Sequence, residues 1–394
     1  MFNQKIEKAM MTIACAAGLV ACTNNAPEKG KNYADTDLKG RVTSDLTLKA
    51  GETYNLLGSL QVVAPAVLTI EPGVTVVAAD NGEINYILIE QGAKIIARGT
   101  AEKPIVLTAA VKESGAWGGL HICGKAHSNR AAKAGESLTS EIGNAIYGGT
   151  DDNDNSGVLE YVRLEYTGYK LDAEHEANGI SLYGVGRGTK ISYVQCYMGS
   201  DDGIEFFGGS VCVDHCVVVD CTDDCFDWTE GWNGTAEYLV AYQTDPTCDC
   251  LMECDNNGDD FDAKPVAHPV IRNVTLVGNN SKDNKKGIRL RAGTEVSLEN
   301  ALVCGKDEAI RAETTQTLTA LANGTSVLKN IRLSSKFLEK LEDGQSSIYS
   351  SEQFLADGSN KVGFEMAFTD RYVGMIDGCG AVDAASDWTK GWCK

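Results

Sequence analysis

One short pattern occurs twice in the middle of this chain: D-D-G-I-E-F at Asp201–Phe206 returns as D-D-C-F-D-W at Asp223–Trp228, 22 residues further on. A repeat near that length marks one coil of a stacked architecture. Between the copies, V-D-H-C-V-V-V-D from Val213 alternates apolar and polar residues, as a strand with one buried face does. Six runs share that register: L-E-Y-V-R-L from Leu159, I-S-Y-V-Q-C from Ile191, V-D-H-C-V-V from Val213, A-E-Y-L-V-A from Ala236, I-R-N-V-T-L from Ile271 and L-E-N-A-L-V from Leu298. L-K-N-I-R-L from Leu328 makes a seventh.

A second strand repeats in the same coils. N-G-I-S-L from Asn178, D-G-I-E-F from Asp202, D-C-F-D-W from Asp224, D-D-F-D-A from Asp259, K-G-I-R-L from Lys286 and E-A-I-R-A from Glu308 align. Side-chain alternation turns Ile180, Ile204, Phe226, Phe261, Ile288 and Ile310 inward and their neighbours outward. The apolar period of two, with 42 glycines against seven prolines, excludes stacked amphipathic helices. The expected fold is all-β: a right-handed parallel β-helix, a solenoid in which each coil completes its neighbour's hydrogen bonds.

The domain boundaries follow. Lys5 and Lys8 precede an apolar run, Met10–Ala21, that ends in Leu19, Val20, Ala21, Cys22. This resembles a bacterial lipoprotein signal peptide, which implies that 1–21 is removed and that Cys22 is acylated. Residues 22–40 are polar and read as a tether. The β-helix then occupies 41–363 with a polar insertion at 126–155. The last segment, 364–394, holds Phe364, Tyr372, Trp388 and Trp392 and reads as a C-terminal cap, closed by a Cys379–Cys393 disulfide.

Formal net charge of −20 excludes nucleic acid as a partner and confines membrane contact to the N-terminal lipid. Cations and sugars remain. The outward ladder runs Ser181, Glu205, Asp227, Asp262, Arg289, Arg311, and three stacked carboxylates require a counter-charge: the arginines, a proton or a bound cation. Glu205, Asp227, Asp262, Arg289 and Arg311 are therefore the expected binding residues. Hard oxygen donors favour calcium. Asp152, Asp154, Ser156 and the later Glu160 have the D-x-D-x-S-G spacing that opens a calcium loop, although the twelfth position is Arg163. Asp202 with Asp224, on adjacent coils and near Arg289, offers an alternative catalytic set for cleaving a polysaccharide. That layout resembles the polygalacturonase-type glycoside hydrolases, but Ser200, Asp201 and Asp202 stand where that family has N-T-D, and there is no G-H-G.

Several stretches together resemble a family of exported bacterial β-helix lipoproteins of largely unknown function. They are L-T-I-E-P-G from Leu68, A-R-G-T-A-E-K-P-I-V-L-T from Ala97, W-G-G-L-H-I-C-G-K-A from Trp117, D-N-S-G-V-L-E-Y-V-R-L-E from Asp154, D-D-G-I-E-F-F-G-G from Asp201 and D-W-T-K-G-W from Asp387. The resemblance implies fold and location, and brings no catalytic residues. The resulting expectation is a lipid-anchored module at the outer membrane or cell surface that binds glycans or another envelope component or serves a surface-structural role. The alternative is a polysaccharide hydrolase or lyase.

Overall fold

A computed structural model describes residues 35–170, 177–341, 344–365 and 368–394. Cys22, the signal-peptide reading and nearly all of the tether fall outside them. The strands of the described residues form one continuous sheet of 25 members, paired in parallel, that winds as a right-handed β-helix, with a separate antiparallel pair, Leu138–Thr139 with Ile146–Tyr147.

The long strands Gly157–Glu165, Lys190–Tyr197, Cys212–Val219, Thr235–Tyr242, Val270–Val277 and Ser297–Cys304 stack in that order. Their register places Leu159, Ile191, Val213, Ala236, Ile271, Leu298 and Leu328 in one column. This is the alignment read from the seven runs. The third residue of every run is kinked into the left-handed region: Tyr161, Tyr193, His215, Tyr238, Asn273, Asn300 and Asn330 have φ between 51° and 58°. A left-handed residue inside a strand bends it, and here the bend recurs coil after coil. Asparagine tolerates this conformation, and its amides form a ladder, Asn300 to Asn273 at 3.1 Å and Asn330 to Asn300 at 2.8 Å. Tyrosine and histidine tolerate it less well, and their rings stack at 4.4, 4.4 and 4.6 Å through Tyr161, Tyr193, His215 and Tyr238.

The short strands Ile180–Tyr183, Ile204–Phe207, Phe226–Thr229, Met252–Cys254, Lys286–Leu290 and Glu308–Glu313 form the second stack. Here one coil differs from expectation. Met252–Cys254 pairs with Phe226 and Ile288, and D-D-F-D-A lies beyond it in an exposed loop. Phe261 therefore leaves the core, and Asp262 leaves the ladder.

The insertion docks on the N-terminal half of this second stack. Its Ile142 and Tyr147 pack with Tyr183 and Phe207, and Tyr147 lies 5.1 Å from the Tyr183 ring. Buried Glu230 fastens it by accepting bonds from Ser128 at 2.6 Å and Tyr147 at 2.9 Å.

The C-terminal segment closes the fold over its flank. Trp388 and Trp392 lie edge-on to the Tyr161, Tyr193 and His215 stack, and Val373 and Val382 pack on Val217 and Val240. The last coil is covered by 344–363, where Phe354 stacks on Phe337 at 5.2 Å. Cys379 and Cys393 are not bonded: all twelve described cysteines are free thiols, and the Cys379 thiol donates to the Asn330 carbonyl at 2.9 Å. The disulfide expectation is thus corrected: the Cys379 thiol bonds the Asn330 carbonyl instead of pairing with Cys393. Peptide mapping without reductant after alkylation in denaturant is expected to find twelve labelled cysteines between 123 and 393. A linked pair of peptides carrying Cys379 and Cys393 would contradict this.

Candidate functional site

The outward column of the short strands runs Ser181, Glu205, Asp227, Glu253, Arg289, Arg311. Glu253, within C-D-C-L-M-E-C at Cys248–Cys254, holds the place expected for Asp262. Its own signal was the alternation M-E-C.

Asp202 and Asp224 precede their strands and are buried. Asp202 accepts the Asp224 amide at 2.9 Å, and Asp224 accepts the Cys250 amide at 2.6 Å. Each aspartate thus ties its coil to the next, a structural use of the pair expected as the alternative catalytic set. Asp202 also approaches two carboxylates of the column. Asp202, Glu205 and Asp227 each bring a carboxylate oxygen within 4.8 Å of the others.

At that separation two unit charges repel by about 3 kcal/mol at an effective dielectric near 20. Asn178, missed in sequence, donates one compensating bond to Glu205 at 2.5 Å. Asp227 has no such relief: its Oδ1 is sealed from solvent and finds no hydrogen-bond partner among the described residues. Burial, and then the charges of Asp227 and Asp224, push the Asp202 carboxyl well above the usual range. Burial and then Asp202 and Glu141 do the same to Glu205, and burial and then Glu205 do so to Asp227.

The next coils are neutralised internally. Glu253 accepts from Arg289 at 2.8 Å and from Arg291 at 2.5 Å, while Arg291 also holds Asp255 at 2.7 Å. Glu313 pairs with Arg289 at 3.2 Å and with Arg311 at 2.5 Å. Burial opposes the charge on Arg289, but its bonds to Glu313 and Glu253 outweigh that and raise its pKa. It stays a cation and has no free lone pair with which to act as a base.

A family model described as a pectate-lyase-like β-helix domain matches residues 40–393. The chain belongs to that family. Searches of curated proteins and of solved structures return no match.

Elsewhere on this pectate-lyase-like domain, Asp152, Asp154 and Glu160 of the expected calcium loop each have a protein partner. Asp152 is held by His127, whose Nδ1 lies 2.7 Å away. Asp154 accepts from the Ser156 hydroxyl at 3.2 Å, and Glu160 faces Lys190 at 3.6 Å. The D-x-D-x-S-G run is a turn that closes on itself and anchors the insertion. No helix among the described residues is long and apolar enough to cross a membrane.

Proposed function

We propose that this chain is a polysaccharide-binding module of the bacterial cell envelope, anchored through an acylated Cys22 and displayed at the outer membrane or cell surface. Its acidic face binds a divalent cation, calcium by donor chemistry, and through it an acidic glycan. The single observation that carries this reading is the buried Asp227 oxygen without a partner, set among the carboxylates of Asp202 and Glu205. Three carboxylates at close quarters need a proton or a cation, and all three offer the hard oxygens that calcium takes. Asp202, Glu205 and Asp227 would hold it. The family description supports a polysaccharide partner. The exported location rests on Lys5, Lys8 and the apolar run ending at Cys22.

Calorimetric titration of the purified protein with calcium, alone and with hexagalacturonate, tests the reading. Binding is expected to release protons and to weaken steeply on acidification, because the ion displaces the protons that these carboxyls retain. The ternary mixture is expected to bind without cleavage. No heat from calcium at pH 7 and no glycan retention would remove the proposal. New reducing ends or unsaturated products would instead favour the enzymatic alternative, in which a protonated Glu205 or Asp227 acts as general acid.

A further inference from the structure

Phe261 is the most exposed aromatic residue among those described, at 39%. It is also firmly held. Asn256 donates to its carbonyl at 3.3 Å, and the adjacent Asp262 accepts from Gln316 at 3.2 Å. Gly293, at φ +82°, lies so close to that carbonyl that a β-carbon there would collide with it. At 39% exposure the side chain keeps an apolar face open to water. The loop thus presents the ring on a rigid frame.

Beside it opens a cleft of about 510 Å³, walled by Glu313, Thr314, Gln316, Lys340 and Gln345. Its size and its mixture of one aromatic face with several hydrogen-bonding groups suit a small polar ligand. Lys340 and Glu313 leave the lining without net charge, unlike the acidic column. Thr314 in the wall has φ 67° and ψ 143°, a region that β-branched residues almost never occupy and that concentrates at ligand sites.

We infer that this cleft is a saccharide subsite that takes an uncharged sugar ring, its C–H face against Phe261 and its hydroxyls on Gln316, Gln345 and Lys340. The polarised C–H bonds of a pyranose meet the negative face of the aromatic ring, and the amides and ammonium supply the donors that hydroxyl oxygens accept. Phe261 would be the specificity-determining residue. The inference rests on the polysaccharide reading and extends it. Glu313 in the cleft wall bonds Arg289 and Arg311 of the outward column, and three coils at about 4.8 Å separate Asp227 from Arg311, so one glycan strand can run from the acidic face to this cleft.

The test is calorimetric titration with neutral β-1,4-linked hexasaccharides of glucose, mannose and xylose, beside hexagalacturonate with calcium. At least one neutral probe is expected to bind the parent. Phe261→Ala should weaken that binding at least tenfold, Phe261→Trp should retain it, and the melting temperature of both should match the parent because the ring is exposed. Neutral-probe binding unaffected by Phe261→Ala overturns the inference, and so does a parent that binds no neutral probe. Calcium-dependent hexagalacturonate binding lost in Asp227→Asn reports separately on the acidic face, so the two readings fail independently.

Discussion

Removing two negative charges from the acidic face stabilises the fold: the Glu205→Gln, Asp227→Asn double variant is expected to melt several degrees above the parent at pH 7 in chelator. Each carboxylate in the trio suffers like-charge neighbours and burial, and the amides keep the shape of the acids they replace. Glutamine retains an oxygen for the Asn178 amide, which now bonds Glu205. A gain of roughly 2 kcal/mol is expected, less than one full pairwise repulsion because protons already relieve part of it. Saturating calcium should reverse the order, stabilising the parent and leaving the variant unmoved.

The same groups set the pH dependence. Asp202, Glu205, Asp224 and Asp227 have folded pKa values raised above those of the unfolded chain, about 3.9 for Asp and 4.3 for Glu. Below the unfolded values both states hold the proton and the cost vanishes. As pH rises from about 4 toward the folded values, the unfolded chain releases protons that the folded chain keeps, and stability falls by about 1.4 kcal/mol per pH unit for each group. Glu165 and Glu313 work the other way. Burial raises them, but Arg163 beside Glu165 and Arg289 bonded to Glu313 bring both below the ordinary value, and their stabilisation is lost as pH falls through it. Thermal melts in chelator should therefore peak near about pH 5, with a decline toward neutrality that the double variant flattens. A parent whose melting temperature rises steadily from pH 5 to 8 would show that these acids are ionised and compensated.

The long strands were legible because their pattern is redundant. Leu159, Val162 and Leu164 recur as Ile191, Val194 and Cys196 and again as Val213, Cys216 and Val218, and a one-residue slip would expose every member of the set. Even the kink left a trace, since Tyr, His or Asn fills the third place of each run. The short strands carry fewer residues and tolerate loops between coils, so two alignments competed after Phe226. Met252–Cys254 and the D-D-F-D-A run at 259–263 both alternate, and D-D-F-D-A matches the preceding D-D-C-F-D-W more closely in residue type. The chain chose Met252–Cys254 because Met252 and Cys254 fill the core with little exposure, whereas Phe261 is braced outward by Asn256 and Gly293. The candidate site was legible where alternation alone positions a residue, at Glu205, Asp227, Arg289 and Arg311. Asn178, the buried environment of Asp227 and the cleft beside Phe261 depend on contacts between segments far apart in sequence, which no local pattern records.

Trp392→Ala should destabilise the fold by more than the acidic-face double variant stabilises it. The Trp392 ring is fully buried, edge-on to Tyr161 at 5.7 Å and Tyr193 at 6.1 Å. Its indole donates to the Trp388 carbonyl at 2.8 Å, and its own carbonyl accepts from Arg163 at 2.8 Å. Truncating a buried tryptophan costs about 3–5 kcal/mol. The consequence extends beyond the cavity, because the tyrosines it covers hold left-handed backbone that costs an L-residue roughly 1–2 kcal/mol apiece, offset by ring stacking under this cover. Lys394 is bound to Gln195 and Glu165, so the segment should detach as a unit from Lys394 back toward Tyr372. Limited proteolysis is expected to cut the variant within 368–394 well below its melting temperature, while the parent resists, and the main melt should then fall as the uncovered stack meets water. Asn273, Asn300 and Asn330 bond one another through side-chain amides, while the segment reaches the Asn300 and Asn330 carbonyls through the Gly380 amide and the Cys379 thiol, so these coils should lose less hydrogen-exchange protection than the tyrosine coils. Equal loss along both halves would mean that the amide ladder depends on the tryptophan cover as well.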